Sequence, residues 1–126
     1  MDTEFINTNR APRPAGPYSQ GIRSGTILFV SGQGPFDPTT GKCSTDIKAQ
    51  TRQTILNVKA ILEAGGYSLE NAVKVTIYLR NADDFQKMNE VYREFFSQNP
   101  PARTSIVVQF VNPEMLVEID AIACSR

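Results

Sequence analysis

The sequence predicts an α+β fold in which one sheet of about six strands is covered on one face by two helices. Three observations support this prediction. All eight prolines lie outside residues 39–99, so the long regular elements belong in that interval. Two segments of the interval repeat apolar residues with helical period, and the segment between them alternates apolar and polar residues as strands do. The length of 126 residues predicts a single domain over residues 1–126.

The N-terminal part of the chain is predicted to form a loop and a hairpin. Residues 10–17 combine three prolines with a glycine and suit neither a helix nor a central strand. Residues 20–24 and 27–31 flank a Gly-Thr pair, which indicates a hairpin whose second, apolar strand is buried. Residues 31–41 are rich in Gly, Pro, Asp and Thr and are predicted to form turns.

The proline-free interval is predicted to begin with a helix and a strand. Apolar residues between positions 47 and 62 recur at steps of three and four, so the helix should begin near Asp46 and end at Gly65-Gly66 with a left-handed cap. Residues 73–80 then alternate, which predicts a strand with one face in the core. The residues expected to face the core are Val73, Val75, Ile77 and Leu79.

A second helix and two further strands complete the predicted domain. Asn81, with Asp84 three positions on, is expected to cap the helix, and a pair of prolines stops it. Residues 104–111 and 115–124 predict the two strands. The apolar arc of the helix consists of Phe85, Met88, Val91, Tyr92, Phe95 and Phe96, with Asn89 at its rim.

The sheet face away from the helices is predicted to carry apolar residues as well. The two-residue period of strands directs Tyr78, Leu116 and Ile122 to that face. Because the two helices cover only the other face, a partner must cover this one, and a homo-oligomer is predicted.

The composition disfavours several classes of function. The chain contains no His, so it cannot supply a Ser-His-Asp triad, a Cys-His nucleophile or the His ligands of a catalytic zinc, and no metal site is predicted. Thirteen Lys and Arg balance thirteen Asp and Glu, which disfavours binding to nucleic acid or to a membrane surface. Cys43 and Cys124 form no metal or redox motif, and two such thiols without a signal peptide predict a cytoplasmic location.

Charged residues near the C-terminal strands are candidates for chemistry. Arg103 follows two prolines and an alanine directly before a predicted strand, where a stiff stem would present its guanidinium to a carboxylate; a surface ion pair is the alternative. Glu118 and Asp120 share one strand face with apolar neighbours, so such a carboxylate is paired with a cation, lies at an interface, or is held in a site with a shifted pKa. Which of the two carboxylates titrates stays open.

Two further positions are candidates for binding. The segment Ser31-Gly32-Gln33-Gly34 follows a buried strand, where glycines let backbone N–H groups approach a ligand, although a simple turn has the same composition. The segment matches neither the GxGxxG pattern nor the P-loop, so phosphate binding is not indicated. Asn89 is polar at the edge of an aromatic stripe, a position more often taken by a solvated helix residue.

Six separated blocks of sequence, in order along the chain, form a specific resemblance. They are AGPYSQG at residues 15–21, FVSGQGPFDPTTG at 29–41, QT at 50–51 with NVKAILEAG at 57–65, MNEVYREFF at 88–96, PAR at 101–103 and VEI at 117–119. Over residues 11–124 the chain resembles the RidA family of reactive-intermediate deaminases, also called the YjgF family.

The resemblance implies a chorismate-mutase-like subunit that forms a homotrimer with clefts between adjacent subunits. It also implies hydrolysis of enamines and imines, such as 2-aminoacrylate and 2-iminobutanoate, to 2-keto acids and ammonia without a cofactor. At the matching positions Arg103 would grip the substrate carboxylate with backbone help from Ser31-Gly32, and Glu118 would hold the attacking water. Tyr18, Ser31 and Asn89 would line the cleft.

Two other functions are compatible with the same resemblance. A non-catalytic trimer could use the clefts to sense small carboxylates, and RNA cleavage or translational inhibition has been attached to some relatives. Zero net charge and the missing imidazole disfavour a nuclease. The chain departs from the family pattern at Ser105, where many members have Cys, and at Phe36, where an aliphatic residue is frequent, which leaves the size preference of the pocket open.

Overall fold

The computed structural model describes residues 3–125 and contains one six-stranded sheet with two helices on one of its faces, which confirms the predicted fold class. In chain order the elements are β1 (Thr3–Ile6), β2 (Gly21–Ser24), β3 (Ile27–Gln33), α1 (Ile47–Ala64), β4 (Ala72–Leu79), α2 (Phe85–Phe95), β5 (Ala102–Val107) and β6 (Val117–Cys124).

The sixth strand in chain order lies in the middle of the sheet. The strands are arranged in the order β1-β2-β3-β6-β4-β5. β5 runs parallel to β4, and the other neighbouring pairs are antiparallel. A parallel pair needs a crossover connection, which α2 supplies. β6 therefore joins the N-terminal strands β1 to β3 to the unit formed by β4, α2 and β5.

The helices bury one face of this sheet. Alternate residues of the three central strands point toward α1 and α2, among them the fully buried Leu28, Ile77 and Val117. The intervening residues of β6, including Glu118 and Ile122, point to the opposite face and are only partly buried. We call this second surface the open face.

A row of apolar side chains crosses the open face. Phe5 lies opposite Ile22, Ile22 opposite Phe29, and Phe29 opposite Ile122 in successive strands. Phe5 is 70% and Phe29 45% exposed. The second face of the sheet is thus apolar and uncovered within one chain, as the sequence predicts.

The ends of α1 follow from its sequence. The Ala49 N–H donates to Oδ2 of Asp46 over 2.9 Å, which caps the first turn. At the other end Gly65 has φ −87° and closes the last turn, and Gly66 takes the left-handed conformation with φ 85°. The predicted glycine end of the helix is present, and Gly66 is its left-handed residue.

One predicted core residue is wrong. Val73 is 45% exposed, whereas Ala72 before it is buried. The pairing of β4 with β6 shifts register between Ala72 and Lys74. Such an irregularity leaves one residue of the strand unpaired and interrupts the alternation of side chains between the two faces of the sheet. The other core residues predicted for this strand, Val75, Ile77 and Leu79, are buried.

Several predicted boundaries are also wrong. Asn81 makes no side-chain cap, and a 3-10 turn over Ala82–Asp84 separates β4 from α2. Arg103 lies inside β5 rather than before it, and that strand ends at residue 107 rather than 111. β3 extends to Gln33, two residues beyond its predicted end at residue 31. In each case pairing or packing with distant segments, which local sequence does not reveal, sets the boundary.

Candidate active site

Glu118 occupies a position on the open face that only a glycine neighbour allows. The pairing of β3 with β6 shifts register between Val30 and Gln33, so an irregularity in β3 lies beside Glu118. A Cβ atom at Gly32 would overlap Oε2 of the Glu118 carboxylate. The carboxylate is therefore seated directly over the backbone of Gly32.

A cavity of about 340 Å³ opens in front of this carboxylate. Glu118, Gly32 and Tyr18 line it, three residues that the family resemblance implies for the site. Its apolar wall consists of Phe36, Phe110 and Met115. The volume falls at the lower end of the range of small-molecule pockets.

Three buried amide side chains hold the loops around this cavity. Gln20 accepts from the Thr8 N–H over 2.7 Å and donates to the Pro12 carbonyl over 2.9 Å, which fixes the N-terminal loop. Asn57 of α1 donates to the carbonyls of Gly34 and Phe36 over 3.0 and 2.9 Å.

The third amide belongs to Gln50, about two helical turns before Asn57 on α1. It donates to the Glu114 carbonyl and accepts from the Leu116 N–H, both over 2.8 Å. Gln50 and Asn57 are each 1% exposed or less. Through these two side chains, helix α1 holds the segments that follow β3 and precede β6, which form two walls of the cavity.

Burial changes the proton affinity of Glu118. Desolvation, and after it the negative charge of Asp120, raise the pKa of the Glu118 carboxyl above its ordinary value. Asp120 is engaged elsewhere, because the Tyr78 hydroxyl donates to its Oδ2 over 2.9 Å. Of the two carboxylates, Glu118 lines the cavity and Asp120 is held by a tyrosine of the neighbouring strand.

Arg103 lies on the other side of the sheet. It pairs with Val75, whose side chain is buried under the helices, and therefore points to the helix-covered face. Its Nη1 donates to Oδ1 of Asn89 on α2 over 2.8 Å. Its guanidinium lies 4.7 Å from the ring centre of Tyr92 and 5.7 Å from that of Phe85, within reach of cation–π attraction.

The ring of Tyr92 is itself fixed. It stacks on Phe96 with a centroid distance of 4.5 Å, and only 6% of the residue is exposed. Desolvation raises the pKa of Tyr92, and the positive charge of Arg103 acts in the opposite direction. A second cavity of about 320 Å³, lined by Arg103, Asn89 and Tyr92, lies beside two prolines of the 96–101 segment.

The candidate residues therefore form two groups on opposite faces of one sheet. The first group, which we call the carboxylate half-site, contains Tyr18, Gly32 and Glu118. The second, the arginine half-site, contains Asn89, Tyr92 and Arg103. Within one chain Arg103 and Glu118 do not lie in the same cavity.

Ser31 belongs to the surroundings of the carboxylate half-site. Its hydroxyl donates to the Ser19 carbonyl over 2.6 Å. It borders an apolar groove on the open face together with Tyr18, Ile22 and Phe29. Ser31 is thus on the same side of the sheet as Glu118.

Several residues around these half-sites are not predicted from the sequence. Gln20 and Gln50 belong to no recognisable motif, although some of the carbonyls that they bind, at Pro12 and Ser44, lie near them in the chain. The two carbonyls that Asn57 binds lie 23 and 21 positions before it. Tyr92 was placed in an apolar arc only; its spacing of three residues from Asn89 puts both on one helix face, and that signal could have found it. Two positions at which the chain departs from the family pattern are also placed by the structure. Phe36 lines the cavity of the carboxylate half-site. The Ser105 hydroxyl is buried without a hydrogen-bond partner among residues 3–125.

Over residues 3–125, no group of three or more Cys, Asp or Glu side chains is arranged to hold a metal ion. No helix of the range has both the length and the apolar character that crossing a membrane would require.

Solved structures define the class of protein to which this architecture belongs. The YjgF gene product of Escherichia coli has the same fold with a TM-score of 0.92 and 39% identity, over 98% of this chain and 99% of that one. Escherichia coli TdcF, solved with bound serine, has a TM-score of 0.94 and 38% identity over 98% and 99% of the two chains. The class is that of small YjgF-type α+β proteins.

The chain belongs to the RidA (YjgF) family, whose model, described as Endoribonuclease L-PSP, matches residues 8–125. A RutC family protein of Pyrococcus horikoshii is 54% identical over 95% of this chain and 96% of its own length. The 2-iminobutanoate/2-iminopropanoate deaminase of Salmonella typhimurium is 40% identical over 98% of this chain and 99% of its own length.

Proposed function

We propose that the protein is a hydrolytic deaminase of small reactive enamines and imines, of the 2-aminoacrylate and 2-iminobutanoate class, and that it releases 2-keto acids and ammonia. The observation that carries the proposal is the half-buried Glu118 carboxylate, seated over Gly32 at the wall of a cavity. The 40% identical relative named as such a deaminase supports it. So does the bound serine of the TdcF structure, since serine carries the same carboxylate group.

The assembly that we propose is a homotrimer in which two copies complete each site. The arginine half-site of one copy and the carboxylate half-site of the next would face each other across the apolar open face. This arrangement agrees with the separation of Arg103 and Glu118 within one chain and with the uncovered row of Phe5, Ile22, Phe29 and Ile122.

In the mechanism that we propose, binding positions the imine. Arg103, which donates to Asn89 and lies over the Tyr92 ring, binds the substrate carboxylate through two parallel hydrogen bonds. Glu118 of the facing copy holds a water in front of the imine carbon. Because the imine and the water are both held in place, most of the entropic cost of bringing them together is removed.

The proton transfers then need one carboxylate. The water oxygen bonds to the imine carbon while Glu118 takes a water proton and passes it to the nitrogen, which gives a carbinolamine. Glu118 next takes the hydroxyl proton and returns it to the nitrogen, the C–N bond breaks, and ammonia leaves as the carbonyl forms. A carboxyl whose pKa is raised by burial suits both roles near neutral pH.

The test is complementation between two inactive variants. Arg103→Ala should lower kcat/KM roughly 100-fold because the carboxylate grip is lost, and Glu118→Ala should lower kcat by a factor of about 10² to 10⁴. When equal amounts of the two variants are unfolded together and reassembled, each mixed trimer contains one site with both intact groups, which is about one quarter of the sites over all trimers, so about one quarter of the wild-type activity should return.

Each outcome of this experiment has a distinct meaning. Full activity of the Arg103→Ala homotrimer would contradict the proposed function. Loss of activity without recovery in the mixture would contradict the sharing of sites between copies. A wild-type protein that binds 2-keto acids without turning over imines would instead be a sensor of small carboxylates, and Glu118→Ala would then have no turnover to lose.

A further inference from the structure

The residues around Glu118 on the open face form a cluster that the mechanism above does not use. Tyr78 of β4 lies directly opposite Glu118 of β6 in the pairing of the two strands. Asp120 follows two residues later on the same face, roughly 7 Å along the strand. The Tyr78 hydroxyl donates to Oδ2 of Asp120 over 2.9 Å. One hydrogen bond thus fixes the acidic neighbour of Glu118.

We propose that Asp120 is a positioning residue of the deaminase site: Tyr78 holds its carboxylate beside Glu118, where the fixed negative charge makes Glu118 a stronger proton acceptor. This inference rests on the proposed function and concerns the same site. Asp120 acts through Glu118 and does not touch the substrate.

The hydrogen bond favours this role on chemical grounds. The bond fixes the position of the Asp120 carboxylate on the same strand face as Glu118. The same bond, followed by burial and by the charges of Asp120 and Glu118, raises the pKa of Tyr78, so the phenol keeps the proton that it donates. The charge of Asp120 in turn contributes to the raised pKa of Glu118.

Other charged groups border the same cavity. Arg13 lines it with Glu118, and Arg80, directly after β4, binds the carbonyls of Asn112 and Met115 in its wall. Within one chain, burial and the charge of Asp120 raise the pKa of Glu118. The proposed assembly adds Arg103 of a second copy, whose positive charge would lower that pKa, and the charge of Asp120 opposes this effect. From the other bordering segments, Gly32 of β3 carries no charge and Tyr18 of the N-terminal loop is a phenol.

The test follows the titration of Glu118 itself. In protein labelled with ¹³C at the glutamate carboxyl carbons, the Glu118 resonance is assigned by its loss in Glu118→Gln, and its midpoint is measured by NMR. Asp120→Asn removes the charge and should lower the midpoint by roughly 0.5 to 1.5 pH units. The acidic limb of the kcat/KM profile should move to lower pH by the same amount.

Matched variants separate charge from structure. Tyr78→Phe removes the Tyr78–Asp120 hydrogen bond but leaves the charge of Asp120, so the titration midpoint of Glu118 should stay or rise. Asp120→Glu keeps the charge and should have the wild-type midpoint. Asp120→Ser is the second neutral variant if Asp120→Asn fails to assemble. An unchanged midpoint in the neutral variants, or an equal fall in Tyr78→Phe, would overturn the inference.

The two proposals fail in different ways. The NMR midpoint of Glu118 depends on Asp120 whether or not the protein turns over imines. If Glu118→Gln retains wild-type turnover while Asp120→Asn still shifts the midpoint, the proposed function fails and the electrostatic role of Asp120 stands. If turnover depends on Glu118 and the midpoint does not move, only the role of Asp120 fails.

Discussion

At the scale of single residues, the candidate site depends on the Cβ atom that Gly32 lacks and on the lack of His in the chain. Gly32 lacks a Cβ atom, and the Glu118 carboxylate fills the space that the atom would take. The absence of His leaves a carboxylate as the group best placed to transfer protons. A glycine and a glutamate on neighbouring strands therefore act as one unit, although 86 residues separate them in the sequence.

Gly32→Ala tests this unit. The new methyl group would displace the Glu118 carboxylate, and a shift of about 1 Å in a catalytic group lowers kcat/KM by roughly 100-fold. Steady-state kinetics with freshly generated 2-iminobutanoate would measure the loss.

Gly16→Ala is the matched control for this substitution. A Cβ atom at Gly16 would meet only the Tyr18 ring, at 3.5 Å, which is ordinary contact. Its activity should stay near that of the wild type. Normal turnover in Gly32→Ala would show that the position of the Glu118 carboxylate does not matter for catalysis.

At the scale of elements, α1 does more than cover the sheet. Its apolar residues, such as Ile55 and Ile61, pack on the covered face, while Gln50 and Asn57 hold the segments that precede β6 and follow β3. Buried amides that are fully bonded to backbone groups fix those groups strongly, because the alternative is an unpaired polar atom. The helix thus connects the stability of the fold to the shape of the cavity.

Asn57→Leu tests this connection. It leaves the Gly34 and Phe36 carbonyls without their donor, so it should lower the free energy of unfolding by about 1–3 kcal/mol and raise KM as the loop loosens. Urea unfolding and kinetics measure the two effects. Leu56→Gln, at a 41% exposed position next to Asn57 on α1, is the control and should cost less than about 0.5 kcal/mol. Equal effects of the two variants would contradict the role of Asn57.

The elements that could be predicted from sequence are those with an uninterrupted period. The helical repeat of α1 and the alternation of β6 predict which residues are buried, because each follows one period from end to end. The predictions for Val73 and for residues 32–33 are wrong, since the register shifts that govern these positions arise from pairing with β6. The face that Arg103 occupies depends on its parallel pairing with Val75, which no local pattern reveals.

At the scale of the whole molecule, one chain presents the two half-sites in separate cavities and one apolar face that residues 3–125 leave uncovered. The row from Phe5 to Ile122 and the groove bordered by Tyr18 and Ser31 lie on the same side as Glu118. Covering that face with another copy would bury apolar area and bring the half-sites together in one step. Assembly and activity should therefore be lost together.

Phe29→Asp tests this coupling. A charge in the middle of the row should leave the chain folded, since Phe29 is 45% exposed in one chain, but should yield an inactive monomer. Light scattering gives the mass and circular dichroism the fold. Leu56→Asp, 41% exposed on α1, is the control and should remain an active oligomer. A trimeric Phe29→Asp protein would contradict the proposed interface.

The central position of β6 has a consequence for biosynthesis. Until this strand leaves the ribosome, β3 and β4 each expose an unpaired edge, and unpaired edges invite aggregation. The nascent chain can form local hairpins and helices early. β6 must then insert between the β1–β3 strands and the unit of β4, α2 and β5, a step of high contact order. Glu118, the proposed catalytic carboxylate, lies on β6, so deaminase activity can appear only when translation of the domain is nearly complete.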